Sequence, residues 1–127
     1  MIELSPCIEW LYAESGDFPE RIRAAAADGM SRVEFWTWSD KDPAALAQAI
    51  AECGVSITSM VNEPELNLVD PATHDDYMAG LERTCSTAKL LGVGNIVVLA
   101  GRKRPGVDRK EQIAHAVRGL EVACRIA

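Results

Sequence analysis

Two hydrophobic periods alternate along the chain: short stretches with period-2 alternation, then longer ones with apolar residues at i, i+3, i+4 and i+7. Residues 4–12, LSPCIEWLY, give the first strand pattern, with Pro6 near its start. Asp17 with Glu20 makes a D-x-x-E capping box and Pro19 falls in the first helical turn. Phe18, Ile22, Ala25 and Ala26 form the apolar stripe of that helix, and Gly29 ends it. Arg32 to Trp38 is the second strand, with Val33 and Phe35 on one side and Glu34 and Trp36 on the other. A carboxylate and an indole on one face, opposite an apolar face, fit a parallel strand covered by helices on one side and by a polar pocket on the other.

Asp42 and Pro43 open the next helix, whose Leu46, Ala49, Ile50 and Cys53 follow the helical spacing until Gly54. Val55 to Val61 is the third strand, with Asn62 at its C-terminal end. The connection NEPELNLVDPA has no clear period, and a loop of that length usually covers something or carries function. Thr73 and Asp76 suggest a further capping box, for a helix that turns Tyr77, Leu81, Thr84, Ala88 and Leu91 inward and ends at Gly92. The all-apolar run NIVVLA, residues 95–100, reads as a fully buried parallel strand. The basic loop GRKRPG then leads to Asp108 and Glu111, and to a last helix with Ile113, Ala116, Val117, Leu120 and Cys124 as its buried stripe. Four strand–helix units predict an α/β fold with parallel strands and right-handed crossovers. A flavodoxin-like open sheet and the first half of an eight-unit barrel both fit. The first turn, AESGDF, has one glycine and no G-x-G-x-x-G, which weighs against the open sheet.

The length of 127 residues suits a single domain, 1–127, and 48% hydrophobic with 25% charged residues is ordinary globular composition. A net charge of −6 argues against a nucleic-acid partner, which calls for a basic face. No apolar run approaches the roughly 18 residues of a membrane span and no leader is apparent, so a cytoplasmic location is the expectation. Cys7, Cys53, Cys85 and Cys124 are far apart with no C-x-x-C pair, so small hydrophobes are expected rather than a disulfide or zinc ligands. His74 and His115 fall in helices, away from strand ends, and read as surface or helix-face residues.

EWLYAE in the first unit, RVEFWTWSDKD in the second, NEPELNLVDP after the third and VVLAGRKRPGVDRKEQ in the fourth resemble the N-terminal half of the hydroxypyruvate isomerase family. That family belongs with the xylose isomerase-like (β/α)8, or TIM, barrels, together with inosose dehydratase and the ketose 3-epimerases. The resemblance implies a parallel (βα)4 unit and a small hydroxy-carbonyl substrate. It also implies a divalent metal, magnesium or manganese, that acts as a Lewis acid while two glutamates move a proton through an enediolate. In the family the metal ligands and both glutamates come from strands five to eight, so no catalytic residue and no metal ligand is assigned in this chain, and the half is expected to be inactive alone. A sugar epimerase or inosose dehydratase relative is the alternative activity, and a non-catalytic half-barrel module the alternative class.

What this half can supply is a substrate-facing wall at the C-terminal ends of the strands: Trp10, Tyr12, Glu34, Trp36, Asn62 and Arg102. Arg102 suits the carboxylate of a hydroxypyruvate-like substrate, or belongs with Lys103 and Arg104 to a solvated loop. Glu34 is a substrate ligand or half of an interior ion pair; Asn62 bonds substrate or closes a turn. The indoles and Tyr12 serve packing or contact. The related abasic-site endonucleases would need histidine ligands in this half and a basic face, and neither is in the sequence. Bare strand edges and an open inner face predict a homodimer.

Overall fold

A computed structural model describes residues 2–127. Three helices begin where an aspartate can cap them. Asp17 accepts from Glu20 N at 3.1 Å ahead of α1, Phe18–Ala27. Asp42 accepts from Ala44 N at 2.9 Å and Ala45 N at 3.3 Å ahead of α2, Pro43–Cys53, which Gly54 ends in the left-handed region that suits glycine. Asp108 accepts from Lys110 N at 2.8 Å ahead of α4, Arg109–Ile126. The start of α3, His74–Leu91, differs from expectation. Thr73 does not cap it; its hydroxyl donates to the carbonyls of Asn67 and Asp70, at 2.8 and 3.0 Å. Asp70 instead caps a short 3-10 turn, Pro71–Thr73.

The strands are shorter than the pattern suggests. They are β1, Arg32–Val33, β2, Ser56–Ile57, β3, Met60–Val61, and β4, Ile96–Val97. β1 pairs with β2 and β3 with β4, both parallel. The first predicted strand contracts to one parallel bridge, Cys7 to Glu34, with Ile8 N donating to Glu34 O and Glu34 N to Pro6 O. After Ile8 the chain turns, so Trp10 and Tyr12 sit beyond the strand rather than on it. Val61 N donates to Trp36 O at 2.9 Å, which carries the parallel arrangement from the end of β1 to β3. NIVVLA is not fully buried: Val97 and Leu99 are exposed, and among the described residues β4 has a neighbour on one side only.

The chain forms two compact units. One runs through Val61 and takes in Ser86–Val97; the other comprises Asn62–Cys85 and Val98–Ala127. In the first, Ile8, Val33, Phe35, Ile57 and Met60 from the strand layer pack with Ile22 of α1, Leu46 of α2 and Leu91 at the end of α3. All are buried, as the period-2 and helical spacings predict.

In the second unit the last helix has turned the opposite way from its sequence reading. Gln112, His115, Gly119 and Ala123 of α4 are buried, while Ile113, Val117, Leu120 and Cys124 are exposed, Ile113 by 50%. The reason lies in the loops that α4 covers. The Gln112 side chain accepts from Arg104 N and donates to Arg104 O and Val107 O. His115 Nδ1 lies 3.3 Å from Val69 O, and His74 Nε2 lies 2.7 Å from Leu68 O. Buried loop backbone needs partners, and these polar side chains provide them. Both histidines lie on helix faces, as expected, but His115 is buried and His74 half-buried rather than at the surface.

Gly80 marks a tight approach within this unit. A Cβ there would collide with the Glu63 carbonyl oxygen and lie 2.7 Å from Pro64 Cδ. Helix propensity alone would make Gly80→Ala stabilising by about 1 kcal/mol. We expect a loss of about 1–3 kcal/mol from overpacking, measured by urea unfolding; a gain would show that the loop lies off the helix.

Candidate functional site

Within the first unit the residues after the strand ends form two small groupings, one around Glu34 and one of two indoles. Glu34 follows β1 directly and accepts a hydrogen bond from the Ser59 hydroxyl at 3.2 Å. The Cys7 thiol also meets this carboxylate. Burial pushes that thiol up, and the nearby Glu34 and Glu9 carboxylates add to the rise against a backbone hydrogen bond. Cys7 is therefore a neutral donor rather than a thiolate nucleophile. Among the described residues the interior ion pair considered for Glu34 does not form; its partners there are a hydroxyl and a thiol.

Two residues along from Glu34, Trp36 meets Trp10 edge-on, ring centroids 4.6 Å apart and planes at 81°. Both indoles stay open to solvent, Trp10 by 68%. Tyr12 behaves differently. Its backbone is left-handed at φ 62°, a conformation that costs a non-glycine residue about 1 kcal/mol. Partial desolvation and a hydrogen bond with Asp28 push its phenol up. The hydroxyl is thus engaged at the C-terminal end of α1 rather than with Glu34.

Glu9 and Lys41 were not singled out by the sequence reading. Glu9 Oε1 accepts from Trp36 N at 2.8 Å, from Thr37 N at 3.2 Å and from Lys41 Nζ at 3.2 Å. The Lys41 side chain is only 3% exposed. Its ammonium donates to Thr37 Oγ1 and Asp40 Oδ1, both at 2.9 Å, and lies 3.9 Å from the centroid of the Phe18 ring. Hydrogen bonding from Lys41, with help from Thr37, holds the Asp40 carboxyl below its usual range. A lysine in the run SDKD looks solvated. The available signal was Glu9, a carboxylate set between Ile8 and Trp10.

In the second unit Asn62 is 2% exposed and Tyr77 1%. Neither Asn62 amide atom nor the Tyr77 hydroxyl has a well-formed hydrogen bond. Burial pushes the Tyr77 phenol up, with the neighbouring Asn62 amide acting the other way, so the phenol is neutral near pH 7. The Asn62 amide and the Tyr77 hydroxyl are thus a buried polar pair whose closest polar company is each other. Arg102 is exposed at its side chain but fixed at its backbone, where its N–H donates to Asn67 Oδ1 at 3.0 Å. Gly101, at φ 93°, is packed so closely against Asn67 that no side chain fits there. Arg104 pairs with Asp70 at 3.4 Å, which leaves Arg102 and Lys103 as the exposed cations of this loop.

These residues can accept hydrogen bonds from a ligand at Glu34, offer an exposed aromatic ledge at Trp10 and Trp36 and, separately, present a guanidinium. Among the described residues no three histidine, cysteine or acidic side chains are grouped to hold a metal ion. The side chains present do not fit a metal centre, and no metal-assisted step is derived from them.

Similarity to known proteins concerns the family and the fold. The family described as xylose isomerase-like TIM barrel matches residues 20–127. A human protein named "Putative hydroxypyruvate isomerase" is 33% identical over 117 residues, which cover 85% of this chain and 42% of that protein. The mouse protein of the same name is 32% identical over 117 residues, with 85% and 42% covered. The chain thus spans well under half the length of these relatives. Among solved structures, an AP endonuclease, family 2, from Brucella melitensis superposes with a TM-score of 0.89 at 18% identity, covering 98% of this chain and 50% of that one. The 3-keto-D-glucoside 4-epimerase from E. coli gives 0.73 at 17% identity, covering 100% and 52%. At such identities the structures speak to the fold alone. The chain belongs to the xylose isomerase-like TIM barrel family.

Proposed function

We propose that this chain is the first four strand–helix units of a hydroxypyruvate isomerase-like barrel, and that it supplies binding rather than proton transfer. In this reading Glu34 accepts a hydrogen bond from a hydroxyl of a small hydroxy-carbonyl compound, and the Trp10–Trp36 ledge covers its carbon face. Arg102, in the other unit, is proposed separately as a cation for a substrate carboxylate. The observation that carries the reading is the environment of Glu34, a partly exposed carboxylate after a parallel strand, met by neutral donors and by no cation among the described residues. The named relatives support the substrate class. Titration of hydroxypyruvate against indole fluorescence tests it: saturable quenching is expected, weakened about tenfold in Glu34→Gln. No quenching would overturn the substrate class. Turnover is expected neither with manganese nor with a chelator, and manganese-dependent isomerisation by these 127 residues would overturn the assignment of proton transfer elsewhere.

The exposed stripe of α4 favours a second reading, concerned with assembly. We propose that a second copy of the chain covers Ile113, Val117 and Leu120, since a two-fold axis sets one stripe against its own equivalent. The expected outcome is a dimer in sedimentation equilibrium that becomes monomeric in Val117→Glu/Leu120→Glu. A wild-type monomer at high concentration would dismiss it.

A further inference from the structure

The Trp10–Trp36 ledge is exposed, carried on turns, and its two indoles meet edge-on. Exposed indoles on connecting segments ordinarily sample several rotamers. Beneath this pair lies a set of contacts able to restrict that freedom. Glu9 precedes Trp10 in the chain, and its Oε1 atom accepts both the Trp36 and the Thr37 amide protons. Trp36 is held from the other side as well, where its carbonyl accepts from Val61 N. One carboxylate oxygen thus joins the two segments that bear the two indoles.

A carboxylate so little exposed would be costly without a counter-charge. Lys41 supplies it, and the ammonium is fully engaged: Glu9, Thr37 and Asp40 take its protons, while the Phe18 and Phe35 rings lie 3.9 and 5.6 Å away. Phe18 opens α1 and Phe35 follows β1, so the cation is anchored on both regular elements rather than on the loop alone. Thr37 also donates to Asp40 at 3.0 Å, which closes a ring of hydrogen bonds around the nitrogen. Placing a charge pair here adds little to stability beyond what apolar side chains of equal volume would give. What it does set is direction: the amides of residues 36 and 37 point at one atom.

We propose that Glu9 and Lys41 are positioning residues that hold Trp36 against Trp10, and so set the shape of the aromatic ledge that a ligand meets. The ligand part of this inference rests on the hydroxy-carbonyl reading above; the geometric part does not. Two edge-on indoles at this spacing give an exciton couplet in far-ultraviolet circular dichroism, which Trp10→Phe identifies by abolishing it. Lys41→Met removes the counter-charge, and Glu9→Gln keeps an acceptor for the amides but loses the ion pair. In each variant, with helix content intact, the couplet should fall below about half its wild-type amplitude, and any hydroxypyruvate affinity should drop at least about fivefold. A full couplet in either folded variant overturns the proposal. Loss of the couplet with unchanged hydroxypyruvate affinity overturns its ligand part alone. Absence of binding in the wild type bears on the substrate class and leaves the couplet test in force. If both variants fail to fold, amide exchange in the unmodified protein decides: the Trp36 and Thr37 amides should exchange well below the rate of unprotected backbone, and free exchange overturns the proposal.

Discussion

Burial of Ile8, Val33, Phe35, Ile57 and Met60 beneath three helices is what the first unit depends on. Its strands pair for two residues at a time, so backbone ladders contribute few hydrogen bonds and the parallel arrangement is kept by side-chain packing. The same packing explains where polar groups can go. Helices cover the apolar face, so the carboxylate, thiol and hydroxyl of Glu34, Cys7 and Ser59 meet one another on the opposite face of β1. A polar cluster there follows from strand alternation, not from a separate device.

The second unit depends on a different economy. Its loops are packed under α4, and a packed loop brings carbonyls and amides that have lost water. Gln112, His115 and His74 answer those groups. Gly119 gives Leu68 and His74 room, since a Cβ there would lie 2.7 Å from Leu68 Cδ2. The polar face of the helix therefore turns in, and its apolar stripe turns out.

Much of this was legible from the chain. Asp17, Asp42, Asp108 and Gly54 fixed three helices because capping is local chemistry, decided within a few residues. Strand alternation placed Val33 and Phe35 together in the core, where both are buried. The face of α4 was not legible, because periodicity finds a stripe without saying what lies opposite it. Strand length was misjudged for a related reason: NIVVLA has strand composition throughout, but among the described residues only Ile96 and Val97 stand in register with a neighbouring strand. Lys41 escaped notice because burial of a cation depends on Glu9, Phe18 and Phe35, residues from three separate places in the sequence.

The edge of β4 has a consequence for how the protein behaves in bulk. Its run from Asn95 to Ala100 carries no charge and no proline, while the exposed Arg102 and Lys103 follow just past Gly101. Copies stacking in register along that edge would lay like cations over one another, so the basic run acts as a gatekeeper against cross-β growth. Such repulsion reaches about 10 Å at 0.1 M salt and about 3 Å at 1 M. Encounters between copies at this edge are therefore expected to depend on ionic strength, with dilute buffer favouring separation and concentrated salt lowering the barrier.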